Sequence, residues 1–368
     1  MASGPSGYRT IRQRLGGAWT RWAPGLALGL VYLLVAAAAF NGYYAKHGFQ
    51  DDSRYISARQ IMDGTAIRPF VFRRLDPMIA NAVADAAPEP LRQELWRRYA
   101  HAGTSAVAPD AAATGGPRYF LAYTVLYYLV FAQFLASLFV LRAVFRRFVG
   151  PLAADVAPTI WALLMPVIQA VSAGLFYDYA ELLFLSGAVL AALDGRLALL
   201  ALCAVLGTLN KETFLVFIPT LIPFLRPTMR LPRLIATVGG LMAISALIYV
   251  ALKRSYAGNG GFDVDANWRA NLLFYPDPRN LLRFEKAYGL PLPRVWGVFW
   301  IAAGAALVAK VWGRADPRLK RHLLIAIVVN LPLFLLFGAP AEVRNLSLCF
   351  VGVAGLIAYA VEDWSAQT

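Results

Sequence analysis

The chain has 368 residues, 59% of them hydrophobic and 15% charged, with a mean hydropathy of +0.55. Soluble domains average roughly 45–50% apolar and about 25% charged, so this composition excludes a disordered chain, a disulfide scaffold and a soluble multidomain enzyme. The net charge of +14, from 35 Lys and Arg against 21 Asp and Glu, would suggest nucleic acid on a soluble protein. Its distribution assigns it to membrane topology instead, and nucleic acid is not an expected partner.

A spanning helix needs about 20 mostly apolar residues. The chain offers ten such segments, at 23–41, 119–141, 152–174, 176–193, 197–209, 213–225, 234–252, 295–312, 323–338 and 345–361. The expected fold class is therefore all-α, a polytopic transmembrane helix bundle of about ten spans. No period-two alternation supports an outer-membrane barrel. The run from Trp22 to Phe40 is longer than a signal-peptide core and reads as a retained anchor behind a basic leader, 1–22. With that leader in the cytoplasm, the inside segments hold 16 basic residues against Asp194, Asp316, Glu362 and Asp363, as the positive-inside rule requires. The expectation is one transmembrane domain, 23–361, with outer loops at 42–118 and 253–294 and a cytoplasmic tail, 362–368.

In chain order, the first outer loop opens with Asp51-Asp52 and continues through Arg68-Pro69-Phe70-Val71-Phe72-Arg73-Arg74-Leu75-Asp76-Pro77. Apolar residues at Met78, Ile79, Ala82, Val83, Leu91, Leu95 and Trp96 predict short amphipathic helices lying in the interface. Residues 102–117, rich in Ala, Gly, Thr and Pro, read as a flexible linker. At 174–181 the sequence carries Tyr177, Asp178 and Glu181; the two carboxylates are three apart and so share a helix face. Ionisable residues at membrane depth are functional candidates, although a wet helix cap would also use them. The turn Thr208-Leu209-Asn210-Lys211-Glu212-Thr213 and the segment Glu342-Val343-Arg344-Asn345 bring further charge to the same side, either self-paired or binding an anion. The loop 253–294 is long enough for a lid or a binding segment. Cys203 and Cys349 lie in apolar runs, and His47, His101 and His322 are scattered, so no metal-ligand spacing occurs.

These polar residues would share the outer face. Carboxylates suit base chemistry on a hydroxyl, or metal binding. Arg and Lys suit a phosphate or pyrophosphate. The phrases quoted, with Tyr55 and Ala58 after the acidic pair and Tyr177-Asp178-Tyr179, resemble the GT-C superfamily of integral-membrane glycosyltransferases, in its small bacterial form. The resemblance covers most of 23–361. It implies a polyprenyl-phosphate sugar donor, a lipid-linked glycan or glycolipid acceptor, and an active site on the outer, periplasmic face of the bacterial inner membrane. It also implies that Asp51 or Asp52 is the catalytic base. Transfer would invert the anomeric centre, since direct displacement needs one base and no carboxylate nucleophile. Arg68, Arg73, Arg74, Tyr177, Asp178, Glu181, Asn210, Lys211, Glu212, Glu342 and Arg344 are the expected substrate- and phosphate-binding residues. No cofactor is required by any motif; a divalent cation, Mg or Mn, is the one the acidic residues could take. About seven residues follow the last span, which favours a lipid-linked or small acceptor.

Other readings remain at this stage. A transporter or flippase of a lipid-linked sugar would carry polar groups along its depth, whereas here they crowd one end of the spans. A glycan polymerase or ligase would share the chemistry, a non-catalytic GT-C-like protein would lack it, and a membrane acyltransferase would have to use His47 with Asp52.

Overall fold

The computed structural model describes residues 6–100, 115–171, 175–264 and 266–367, with side chains from residue 23 onward. The expected linker lies outside the described residues up to position 114. The architecture is an all-α bundle. Helix α1 (Ser6–His47) is followed by three short helices, α2 (Ala58–Asp63), α3 (Leu75–Ala86) and α4 (Glu89–Tyr99). The bundle continues with α5 (Gly116–Phe145), α6 (Pro151–Ile168), α7 (Tyr177–Leu193) and α8 (Leu197–Asn210). A broken segment comes next, α9 (Phe214–Phe217), a 3-10 turn (Ile218–Leu221) and α10 (Ile222–Leu225). Pro219 and Pro223 lack the amide hydrogens that a continuous helix would use there. Then come α11 (Leu231–Ser255), α12 (Trp268–Phe274), the hairpin β1 (Phe284–Ala287) and β2 (Leu290–Pro293), α13 (Val298–Val311) and α14 (Pro317–Phe337). A 3-10 stretch (Val343–Cys349) leads into α15 (Phe350–Ser365).

Six helical regions are long and apolar enough to cross a membrane: Ala23–His47, Gly116–Phe145, Pro151–Ile168, Leu231–Ser255, Pro317–Phe337 and Val343–Ser365. The other four expected spans fall on α7, α8, the broken 214–225 segment and α13, all shorter than 18 residues. Large apolar side chains such as Leu30 and Leu34 on α1 and Ile235 and Leu247 on α11 face outward, the arrangement a hydrocarbon solvent stabilises and water would not. This is a membrane protein.

The core forms around α5, which packs on α1, α3, α4, α6 and α7. Its upper half joins an aromatic cluster in which Phe134 lies 4.6 Å from Tyr179 and Phe40 lies 5.0 Å from Tyr127, ring centre to ring centre. The expected amphipathic helices are present as α3 and α4, and the loop 253–294 folds into α12 and the β-hairpin, whose Glu285 is held by Lys46 at 3.1 Å.

Opposite ends of the bundle differ chemically. Asp178 starts α7 and Asp194 closes it, which separates them by about 25 Å at 1.5 Å per residue. At the Asp194 end, Arg147 pairs with Asp194 at 2.7 Å, Arg142 with Asp155 at 2.7 Å, and Arg314 with Asp363 at 2.7 Å. In each of these pairs the arginine reaches solvent. At the Asp178 end the charged groups are buried.

Candidate functional site

Three chain segments bring charge to that end because each interrupts or begins a helix there. Asp178 and Glu181 lie in the first two turns of α7 and point the same way, as their spacing requires. Lys211 follows the last residue of α8, where the backbone turns extended. That turn needs Gly207, since a Cβ there would sit 2.2 Å from the Phe214 ring that folds back on α8. Glu342 and Arg344 lie just before α15.

Lys211 Nζ donates to Glu181 Oε2 at 2.7 Å and to Asp178 Oδ1 at 3.3 Å. Arg344 Nη1 reaches Asp178 Oδ2 at 3.1 Å, and Arg344 Nε reaches Glu342 Oε1 at 3.1 Å. Glu181 Oε1 also accepts from Thr213 Oγ1 at 2.9 Å and Ser347 Oγ at 2.7 Å. Glu342 Oε2 accepts from Asn345 Nδ2 at 2.7 Å. Asn210 Nδ2 donates to the Tyr177 carbonyl at 2.9 Å, which locks the end of α8 to the start of α7. Asp178, Glu181, Lys211 and Arg344 are all buried, so removing one partner would strand a charge, at a cost of about 3–5 kcal/mol. Sequence placed all of these residues on one side; it did not reveal Thr213, Ser347 or Asn345 as their partners, because a hydroxyl or amide carries no signal along the chain of what it faces.

Beside this cluster, Arg73 Nη2 donates to Glu212 Oε1 at 2.6 Å. The guanidinium lies between the rings of Phe70 and Tyr177, 5.2 and 5.0 Å from their centres. Its Nε and Nη1 have no hydrogen-bond partner, and neither does Glu212 Oε2. Each such buried group costs about 1–3 kcal/mol until a partner reaches it.

A cavity of about 510 Å³ opens onto this corner, a size that suits a small-molecule site. Its lining includes the polar Arg73, Tyr177, Lys211, Glu212, Glu342 and Arg344 and the apolar Leu215, Val216, Leu333, Phe334 and Phe337. Phe337 and its neighbour Leu336 are themselves exposed on the outside of α14.

The remaining expected site residues lie elsewhere. Asp51 Oδ2 accepts from Tyr123 Oη at 2.7 Å and from the Phe49 amide at 3.2 Å, and burial pushes its carboxyl pKa up. Asp52 is exposed, and neither aspartate lines the cavity. Helix α2 is capped by Ser57, which forms a capping box with Gln60. Arg68 ties the first loop to the loop after α11, through the carbonyls of Asn259 and Gly261 and through Asp263 at 3.2 Å. Arg74 is spent on the carbonyls of Ile61 and Met62.

No family model, curated protein or solved structure matches this chain. The site therefore has to be interpreted from its own chemistry.

Counted as charges, Arg73, Lys211 and Arg344 face four carboxylates, so the cluster as a whole does not attract an anion. The attraction is local, at Arg73. Among the described residues no group of three His, Cys, Asp or Glu side chains is placed to hold a metal ion. Asp178, Glu181 and Glu342 each already hold a Lys or Arg, whose charge would repel a divalent cation. The residues present do not fit Mg or Mn.

Proposed function

We propose that the protein is a membrane glycosyltransferase of the GT-C type, crossing the bilayer about ten times with its N-terminus in the cytoplasm. It would move a sugar from a polyprenyl-phosphate donor to a lipid-linked glycan or glycolipid on the outer face of the bacterial inner membrane. The observation that carries this reading is Arg73, a cavity-lining residue whose guanidinium Nε and Nη1 are buried without a partner and which shares that lining with a set of large apolar side chains. A ligand matching both kinds of lining has a phosphate and a hydrocarbon tail. A guanidinium donates charge-assisted hydrogen bonds to phosphate oxygens, and Leu215, Val216, Leu333, Phe334 and Phe337 would take the first isoprene units.

In the reaction an acceptor hydroxyl oxygen bonds to the anomeric carbon while the carbon–oxygen bond to the phosphate breaks. The electron pair leaves with the lipid phosphate, and the hydroxyl proton goes to a carboxylate. The phosphate needs charge stabilisation more than protonation, which Arg73 supplies. The base must reach the cavity. Of the carboxylates lining it, Glu342 has both oxygens engaged and Asp263 is held by Arg68 and Lys253. Glu212 lines the cavity with Arg73 as the one hydrogen-bond partner of its side chain among the described residues, and its Oε2 is buried and unpartnered. We assign the base to Glu212 in place of Asp51 or Asp52. A transport path finds less support, because the buried cluster gathers where α7 begins, α8 ends and α15 begins, at one end of the bundle.

The test supplies purified protein in lipid with polyprenyl-phosphate hexoses and lipid extract from its host. Release of polyprenyl phosphate by the wild type, abolished in Arg73→Ala, is the expected result. Release that is undiminished in Arg73→Ala would overturn the donor site.

A further inference from the structure

A second buried acidic group lies outside the cluster. Asp76, in the first turn of α3, is 1% exposed, and Gln133 on α5 is 7% exposed. Gln133 Nε2 donates to Asp76 Oδ1 at 2.7 Å. Asp76 Oδ2 and Gln133 Oε1 are both buried without a partner. If Asp76 were ionised, both of these acceptors would stay unsatisfied and a full charge would be buried with no cation bonded to it. A single proton on Oδ2 removes the charge and makes that atom a donor, whose bond to the amide oxygen would close a two-bond ring.

The surroundings agree. Helix α3 packs on α5, α8 and α2. On α5, Arg118 is bonded to Asp85 at the other end of α3, Arg142 is bonded to Asp155 two turns beyond Gln133, and Tyr123 is bonded to Asp51. Tyr119, Tyr127 and Tyr128 complete the titratable groups of α5, and none is hydrogen-bonded to Asp76 in the described structure. On α8 the titratable residue is Cys203; on α2, Arg59 pairs with Asp63 at 3.8 Å. Arg74, next to α3, is engaged by backbone carbonyls. The helix start favours an anion only weakly, far less than burial disfavours it. Burial moves the Asp76 carboxyl up to about 7.

Asp76 is three residues after Arg73, and the Arg74 amide between them donates to the Leu209 carbonyl at 2.9 Å. The same turn thus joins α3 to the end of α8 that carries Lys211 and Glu212.

We propose that Asp76 is a neutral carboxylic acid paired with Gln133, and that this pair is a positioning device that holds the Arg73 turn at the cavity. The positioning role rests on the donor-site reading above; the protonation state does not. Ionisation would break one bond of the ring and charge the seam between α3 and α5, releasing the turn.

Two measurements test this on the full chain in lipid. The first is infrared difference spectroscopy of wild type against Asp76→Asn. A protonated-acid carbonyl band, shifted in D2O and absent from the variant, is expected; a missing band overturns the neutral acid. The second is the affinity for farnesyl phosphate. Above the midpoint, wild-type affinity should fall by up to about tenfold per pH unit, the limit for one linked proton. Asp76→Asn keeps both bonds of the ring and should retain only the pH dependence imposed by the ligand's own phosphate, which titrates at about 6, and Asp76→Leu should bind weakly throughout. Wild-type affinity with the same pH dependence as Asp76→Asn, or Asp76→Leu binding like wild type, overturns the positioning role. A wild type that binds no farnesyl phosphate even at low pH overturns the donor-site reading and the positioning role together, while the infrared band still decides the acid.

Discussion

Replacing Arg73 by Ala removes the two unpartnered guanidinium nitrogens assigned to the donor phosphate and leaves Glu212 without its cation. A hydrogen bond to a charged group contributes about 1.5–3 kcal/mol, so two contribute about 3–6 kcal/mol if both are lost. At 1.4 kcal/mol per tenfold, the affinity for farnesyl phosphate should drop by about 100-fold to 10,000-fold. The uncovered Glu212 carboxylate would repel the phosphate and push the loss toward the upper figure. Arg73→Lys should recover only part of it, because an ammonium keeps the charge but not the planar pair of donors. The assay is calorimetric titration of protein in nanodiscs with farnesyl phosphate and, separately, with farnesol. Farnesol tests the apolar wall of Leu215, Val216, Leu333, Phe334 and Phe337 alone. Arg73→Ala should leave farnesol binding within a few-fold of the wild type. If phosphate binding survives the substitution, Arg73 is not the donor's anchor. If farnesol binding falls equally, the substitution has damaged the cavity and the electrostatic argument fails.

Lys211→Met should lower stability by about 3 kcal/mol, the lower end of the range for breaking a buried pair, since Arg344 still holds Asp178 and Thr213 and Ser347 still hold Glu181; thermal unfolding in detergent reads this, and an unchanged midpoint would show the pair contributes nothing. Glu212→Gln should bind farnesyl phosphate at least as tightly as the wild type yet lose turnover in the transfer assay. Asp51→Asn with Asp52→Asn should keep turnover, and the reverse pattern would return the base to the first loop. With Asp76 raised to about 7 in the folded state and ordinary when unfolded, the unfolded chain releases its proton first as pH rises. Stability should fall by about 1.4 kcal/mol per pH unit between about 4 and about 7, near 4 kcal/mol in all, and level off above. Asp76→Asn should lack that slope, and a variant that keeps it would place the titration elsewhere.

The class of this protein was determined by its sequence, because membrane residence is a statement about solvent. Long apolar runs leave no other way to satisfy the backbone in lipid than helices, and six helices among the described residues are long and apolar enough to cross a membrane. The cluster was also legible in part. Asp178 and Glu181 share a face by spacing, and Lys211, Glu342 and Arg344 interrupt apolar runs at matching ends. What the sequence left undecided was pairing. Arg68, Arg73 and Arg74 lie within one short stretch and look alike along the chain, yet one ties two loops, one faces a cavity and one serves backbone carbonyls. Asp51 and Asp52 carry the expected position of a base without reaching the cavity, while Glu212 reaches it. Asp76, an unremarked residue before a proline, becomes a buried acid only because Gln133, 57 positions away, lies against it. Charge and hydropathy are properties of a residue and can be summed along a chain. Desolvation and hydrogen-bond partners belong to a place, and only packing of distant segments creates that place.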